Sequence, residues 1–228
     1  DHGDELGEHG QFGHGIMPYE SIVHVPCIVR TPNDISNHVV SEQISLVDLY
    51  PTLIDYDNDN ELIGITEGDL QGSSFARALN GKSVSGSEYV YVDGKTYDAK
   101  EQYRAVRSEK WKLIDVNQPE TNVNTLFQLA VTVLRSGKLF DILCHPRYYY
   151  NRHRSSESSY LFDIVSDSTE EQNLIEQNTE TAAELRSKIQ QWIRSCESHR
   201  ETLGVEAEDI KIDESAEKRL KKLGYLSE

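Results

Sequence analysis

The chain of 228 residues has no apolar run of the roughly 18 residues that a membrane-spanning helix needs. It has only three cysteines, widely spaced and without a C-x-x-C pair. An odd number of distant cysteines argues against a disulfide framework and favours a reducing compartment. Apolar residues make up 37% of the chain, and Ile, Leu, Val and Tyr are frequent enough to form a core.

Basic residues are scarce, since 23 Lys and Arg stand against 39 Asp and Glu and give a net charge of −16. The excess is concentrated in residues 1–87, which hold 14 acidic and three basic residues. Such a surface repels nucleic acid and anionic membranes, so we expect neither as a partner. It is compatible with a cation site and with a high-salt environment. The oligomeric state is left open.

The chain also lacks an initial Met and any signal-peptide pattern, because it begins with Asp1. We therefore expect an internal cut or a fragment, in which case a missing signal says nothing about export.

Hydrophobic periodicity divides the chain into two parts near residue 87. The elements predicted in the first part are a buried strand containing Pro26, a helix with a kink or late start at Pro51, and a short helix, at 21–30, 45–56 and 73–82. In the second part we predict four strands: one at 88–94, two within 103–116 separated by a turn, and one from 160 onward. A helix at 179–199 with Thr179 as its N-cap and a final helix at 214–226 follow.

The opening stretch DHGDELGEHGQFGHG holds three histidines, five glycines and four carboxylates within 15 residues. The adjacent side chains of Asp1 and His2 can meet one ion if the backbone turns sharply, which Gly3 permits. An Asp oxygen with a His nitrogen suits Mn²⁺, Fe²⁺ or Zn²⁺, whereas Ca²⁺ prefers oxygen ligands. By spacing alone, a metal site and a satisfied polar loop both remain open.

A longer pattern resembles the sulfatase family of the alkaline phosphatase superfamily. DHGDELGEHGQFGHGIMPYESIVHVP and SLVDLYPTL are similar to the family stretches D-H/N-G-E-x-L-G-E/D-H-G-x-x-G-K-G-x-x-x-Y-E-E-S, V-P and V-D-L-x-P-T-L. Downstream, YRAVRSEKWKLI resembles R-A-V-R-x-x-x-x-K-L-I, and YLFDIVSDSTEEQNL resembles L-Y-D-L-x-x-D-P-x-E-x-x-N-L. Residues 117–159 have no counterpart.

The resemblance implies roles for three residues. Asp1 and His2 would be two ligands of a single divalent cation, usually Ca²⁺, Mg²⁺ or Mn²⁺, and the His shifts our expectation towards Mn²⁺. His14 stands where the family has a lysine that contacts sulfate. A histidine can still donate a hydrogen bond to the anion, so we predict a catalytic role for His14. A loop histidine bonded to a backbone carbonyl is the alternative.

Other residues near the loop are expected to support it. We predict loop bracing for His9, and bracing or capping for Glu8 and Glu20. His24 is expected to be structural, within the strand predicted over 21–30.

The family nucleophile, a formylglycine made within C-x-P-x-R, is not found in this chain. Cys144 begins CHPRY, which has the proline but a tyrosine where the motif requires arginine, and Cys196 begins CESHR, which has the arginine but lacks the proline. In the family this motif precedes D-H-G, so the resemblance implies a nucleophile upstream. We therefore expect this chain to be inactive alone.

Three functions remain open. The first is the C-terminal part of a metal-dependent sulfatase acting on a small-molecule or carbohydrate sulfate ester. The second is a phosphodiesterase or phosphonate monoester hydrolase of the same superfamily, and the third is a degenerate, non-catalytic metal-binding domain. The implied fold is α/β: residues 1–87 would complete a large mixed sheet between helices. Residues 88–228 would form a smaller antiparallel sheet with a packed helix.

Overall fold

The computed structural model describes residues 2–10, 12–13, 17–31, 39–56, 70–95, 102–117 and 159–204. The strands in these segments are β1 Glu5–Leu6, β2 Phe12–Gly13, β3 Val90–Lys95, β4 Gln102–Arg107, β5 Trp111–Asn117 and β6 Ser159–Asp163. The helices are α1 Glu20–Val23, α2 Leu49–Tyr56, α3 Ala76–Leu79 and α4 Thr179–Leu203. Single 3₁₀ turns cover Glu8–Gly10 and Leu46–Asp48. Asp1, His14 and the helix predicted over 214–226 lie outside the described residues.

Strands β3 to β6 form an antiparallel sheet in the order β3-β4-β5-β6. A strand's side chains alternate between the two faces of its sheet, so each strand contributes to two cores. One face buries Val106, Leu113 and Leu161 against helix α4. The other face buries Ile114 and Phe162, together with further side chains, against Tyr19 of the N-terminal part. The predicted small antiparallel sheet with its packed helix is confirmed.

Helix α4 packs on the sheet through one apolar stripe, in which Ala182, Leu185 and Ile189 are buried. The spacing of three and four residues places them on one face of the helix. The helix begins one residue earlier than predicted, because Asn178 occupies the N-cap position and Thr179 is already helical. It continues to Leu203 and ends at Gly204, whose φ of 61° is left-handed. None of the described helices combines the length and apolar character needed to span a bilayer.

The predicted helix at 45–56 is present, with the late start that Pro51 suggested. A 3₁₀ turn over Leu46–Asp48 leads into α2, which places Pro51 in the first helical turn. A missing N–H costs nothing there, because the first N–H groups of a helix have no intrahelical partner. The short helix before Gly81 is also confirmed, as α3.

The strand predicted over 21–30 is wrong. Residues 20–23 form the single turn of α1, and residues 24–31 have no regular structure. A strand needs a hydrogen-bonding neighbour, and the described residues pair no strand with this segment. Pro26 lacks an N–H to donate, and the side chain of Ile28 is 92% exposed instead of buried.

Candidate functional site

The first residues of the chain are seated on helix α1. The N–H of Gly3 donates to the carbonyl of Ile22 over 2.8 Å. A Cβ atom built on Gly3 would lie only 2.1 Å from the carbonyl oxygen of Ser21, so no other residue fits this contact. The glycine therefore serves the close approach of two backbone segments, and α1 determines where the neighbouring His2 lies.

The side chain of His2 is exposed. Its Nδ1 lies 3.0 Å from the carbonyl oxygen of Gly3 and donates to it in the matching tautomer. In that tautomer the lone pair is on Nε2, as in many imidazoles that bind a metal through one nitrogen and a backbone carbonyl through the other. His2 also lines an open groove of about 1740 Å³, bordered by exposed apolar side chains such as Ile28 and Val39.

The described residues do not assemble a complete metal site. No group of three or more His, Cys, Asp or Glu side chains in the described part of the chain is placed to hold an ion. Of the three predicted site residues, only His2 is described, while Asp1 and His14 lie outside. The donor chemistry of His2 fits a divalent cation, and the prediction that Asp1 joins it stays a prediction.

His9 connects the loop to a distant part of the chain. Its backbone is left-handed, with φ of 51°, and its ring stacks on Tyr19 at 3.7 Å between centroids. Nδ1 donates to the Glu5 carboxylate over 2.8 Å, and Nε2 donates to the carbonyl of Thr169 over 2.9 Å. These are the contacts of a residue that braces the loop, as predicted.

Both ring nitrogens of His9 therefore face acceptors, which favours the imidazolium. Burial by itself lowers the pKa of His9, but the hydrogen bond and charge of Glu5, with the carbonyl of Glu170, outweigh it and raise the pKa overall. The Glu5 side chain is fully buried, and its second oxygen, Oε2, has no hydrogen-bond partner among the residues that the structure describes.

Glu20, the first residue of α1, is held by two cations of the sheet. Its Oε1 lies 2.9 Å from Nζ of Lys112, and its Oε2 lies 3.1 Å from Nε of Arg107. Lys112 and Arg107 face each other in the β4–β5 register, on the face of the sheet that Tyr19 covers. Burial alone raises the pKa of Glu20, but Lys112 and Arg107 outweigh it, so the pKa is lowered.

Glu170 completes this ionic cluster from the turn after β6. Its Oε1 lies 2.9 Å from Nζ of Lys112, and its Oε2 accepts the backbone N–H of Glu20 over 2.5 Å. Burial raises the pKa of Glu170 above its usual range, and Lys112 offsets this only in part because Glu20 shares the same ammonium group.

The sequence interpretation gave no role to Lys112, Arg107 or Glu170. A signal for Lys112 was available: it occupies an inward position of the alternating strand WKLIDV, where an unpaired charge is not tolerated. Glu170 is the glutamate of the matched stretch D-x-x-x-D-x-x-E-x-x-N-L.

Two other predictions have separate outcomes. Glu8 braces the loop, as expected, because its carboxylate accepts the N–H of Leu6 over 2.5 Å. Backbone N–H groups hold the pKa of Glu8 below its usual range. The placement of His24 within a strand is wrong, since it directly follows α1 with a side chain that is 75% exposed.

Comparison with known proteins connects this loop and sheet to one family. A family model described as "N-sulphoglucosamine sulphohydrolase, C-terminal" matches residues 7–131, which is more than half of the chain. The matched range contains most of the glycine-rich loop, α1 to α3, and strands β3 to β5. The chain belongs to the sulfatase family and corresponds to its C-terminal part.

A curated relative and two solved structures agree with this family. Arylsulfatase K of Danio rerio is 31% identical over 119 residues, which are 50% of this chain and 21% of that protein. The structure of a 2-O GAG sulfatase has a TM-score of 0.61 at 21% identity and covers 91% of this chain and 37% of its own. A structure in complex with its substrate D-glucosamine-2-N,6-O-disulfate has a TM-score of 0.51 at 19% identity, over 88% and 33%.

At these identities the two structures establish the fold, so the predicted α/β sulfatase architecture is confirmed. The chain spans only 21% to 33% of the length of the curated relatives matched first. The predicted division of the chain at residue 87 stays a prediction.

Proposed function

We propose that this chain is the C-terminal part of a metal-dependent sulfatase that hydrolyses sulfate esters with a formylglycine nucleophile supplied from upstream. The observation that carries the proposal is the His2 segment, seated on α1 with Nδ1 on a carbonyl, in a chain that belongs to the sulfatase family. The chain by itself contains no such nucleophile motif, so we propose that it does not turn over substrate alone.

In this proposal Asp1 and His2 supply two ligands of one divalent cation, with Mn²⁺ favoured by the imidazole and Ca²⁺ or Mg²⁺ as alternatives. When bound, the ion supplies Lewis-acid stabilisation of negative charge on the ester's oxygens. His14 binds the anion: its imidazole donates a hydrogen bond to a non-bridging oxygen, and the bound anion raises the pKa of the ring. The glycines let the backbone approach the anion closely.

We further propose a sulfated carbohydrate as the substrate class. Support comes from the fold neighbours, of which one is a 2-O GAG sulfatase and another was solved with D-glucosamine-2-N,6-O-disulfate. The open groove beside His2 has room for an extended ligand. The net charge of −16 argues against nucleic acid as the substrate.

The test uses the complete protein that carries this chain, expressed with a formylglycine-generating enzyme. Hydrolysis of an aryl sulfate, a phosphate diester and a phosphonate monoester is measured with and without Mn²⁺ or Ca²⁺. We expect metal-dependent sulfate release that is lost in Asp1→Ala and His2→Ala. His199→Ala is the control, because it removes an imidazole near the C-terminal end of α4.

His14 makes the phosphorus esters a real second candidate, because the family's fixed lysine cation is absent at this position. A preference for the phosphate diester or phosphonate monoester would replace the sulfatase proposal with the second function. Binding of the metal without turnover of any ester would leave the degenerate metal-binding domain.

A further inference from the structure

Glu170 contacts both ends of the loop that follows the candidate metal ligands. Its carbonyl oxygen lies 3.2 Å from Nε2 of His9, at one end. Its carboxylate accepts the backbone N–H of Glu20, at the other end, over 2.5 Å. The same carboxylate is paired with Lys112 of the sheet over 2.9 Å. One residue, 150 positions further along the chain, therefore ties the loop to β5.

The connection from Glu170 to His2 is short. Glu20 begins α1, and Ile22 of the same helical turn accepts the N–H of Gly3 over 2.8 Å. His2 directly precedes Gly3 in the chain, and the space at Gly3 is too small for any side chain. A shift of α1 would therefore move the backbone that carries His2.

The backbone conformation and the burial of Glu170 both restrict it to these contacts. The backbone of Glu170 is left-handed, with φ of 54°, a conformation that a glutamate adopts only when its contacts demand it. Its side chain and that of Lys112 are each about 1% exposed. Water therefore cannot replace Lys112 as the partner of the Glu170 carboxylate.

We propose that Glu170 is a positioning residue for the candidate metal ligands: from the C-terminal part of the fold it holds His9 and Glu20, and through α1 it determines where His2 lies. The positioning itself rests on the contacts above. Its consequence for a metal rests on the proposed function, in which His2 is a ligand.

The test is Glu170→Gln in the complete protein, with Glu171→Gln as its control. The two substitutions are chemically identical and adjacent, but Glu171 is exposed. Hydrogen–deuterium exchange then follows the amides of residues 2–10 and 20–24. We expect exchange in these segments to rise about tenfold or more in Glu170→Gln, with the amides of β4, β5 and α4 unchanged.

The second readout is binding of Mn²⁺ alone, measured by calorimetry. We expect Glu170→Gln to weaken Mn²⁺ binding about tenfold, the loss that outer partners of a ligand typically cause, and Glu171→Gln to leave it unchanged. Glu170→Asp keeps the charge beside Lys112 but shortens the reach to Glu20. It should give intermediate exchange and affinity, and it serves if Glu170→Gln does not fold.

The outcomes separate the two proposals. Loop exchange equal to that of Glu171→Gln, or a uniform rise that includes β4 and β5, would overturn positioning by Glu170. If the unchanged protein binds no Mn²⁺ or Ca²⁺ but Glu170→Gln still releases the loop, the positioning stands and the metal-dependent function fails.

Discussion

The two faces of the four-stranded sheet are held by different forces. On one face, Leu113 and Leu161 pack against Leu185 of α4, and the charged contact with α4 is a partly exposed pair between Arg186 and Asp115. On the other, apolar side chains lie next to Lys112 and its ionic cluster with the N-terminal part. The apolar face gains stability without directional demands, whereas the ionic face is stable only when every charge has its partner in place. The difference indicates that both faces contribute to stability, but only the ionic face also fixes the position of the N-terminal part.

The largest effect should come from removing the cation of the ionic face. Lys112→Met leaves the carboxylates of Glu20 and Glu170 close together without the buried charge between them, and we expect a loss of about 3–5 kcal/mol in unfolding free energy. Urea denaturation of the complete protein measures it. Lys110→Met is the control, because Lys110 is 57% exposed beside Asp163 and should cost under about 1 kcal/mol. Equal losses in the two variants would contradict the distinction between buried and exposed pairs.

A truncation on the apolar face should cost nearly as much but act differently. Leu185→Ala removes a buried side chain from the α4 stripe and should cost about 2–4 kcal/mol. Because no directional contact is lost, exchange in residues 2–10 should change no more than in the sheet as a whole. Selective release of those residues by Leu185→Ala would show that the two faces are not separable.

The contribution of His9 to the unfolding free energy should depend on pH. Because the pKa of His9 is raised in the folded state, its contribution is fully present below the unfolded value of about 6.5 and is lost as pH rises through the higher folded value. We expect the stability difference between the unchanged protein and His9→Gln to be about 1 kcal/mol at pH 6 and to shrink as pH increases. The acidic groups near this ring are Glu5, Glu8 and Glu170.

For Glu20 we expect the opposite dependence of the unfolding free energy on pH, which serves as an internal control. Its pKa is lowered, so its contribution is present above the unfolded value and is lost as pH falls through the lower folded one. Urea denaturation of His9→Gln and Glu20→Gln beside the unchanged protein, from pH 3 to pH 9, therefore separates the two groups. A His9 difference that grows with rising pH would refute the imidazolium assignment.

The smallest effect should come from a partly exposed ion pair between α4 and β5, on the face of the sheet that α4 covers. Arg186 of α4 pairs with Asp115 over 3.2 Å, but both side chains are partly exposed. We expect Arg186→Gln to cost less than about 1 kcal/mol and to leave loop exchange unchanged, because water replaces much of what is lost. A cost similar to that of Lys112→Met would mean that burial does not distinguish the two pairs.

The local pattern of the sequence determined most of the regular structure. Alternation in YRAVRSEKWKLI predicts β4 and β5 with their turn, because the side chains of a strand point alternately to its two faces and the sequence pattern then repeats every two residues. The apolar stripe of α4 and the late start of α2 at Pro51 follow equally from local chemistry. The same logic failed at residues 21–30, where a β-branched run has no partner strand among the described residues.

The sequence also determined the family. The glycine-rich stretch and the separate motifs downstream of it resemble the family pattern, and the family model matches residues 7–131. Only the tertiary structure decided which charges meet. Glu20, Lys112 and Glu170 are separated by 92 and 58 positions, and no periodicity relates them. Their pairing depends on the fold of the sheet, which removes them from water together, so that the ammonium group of Lys112 offsets the charge of both carboxylates.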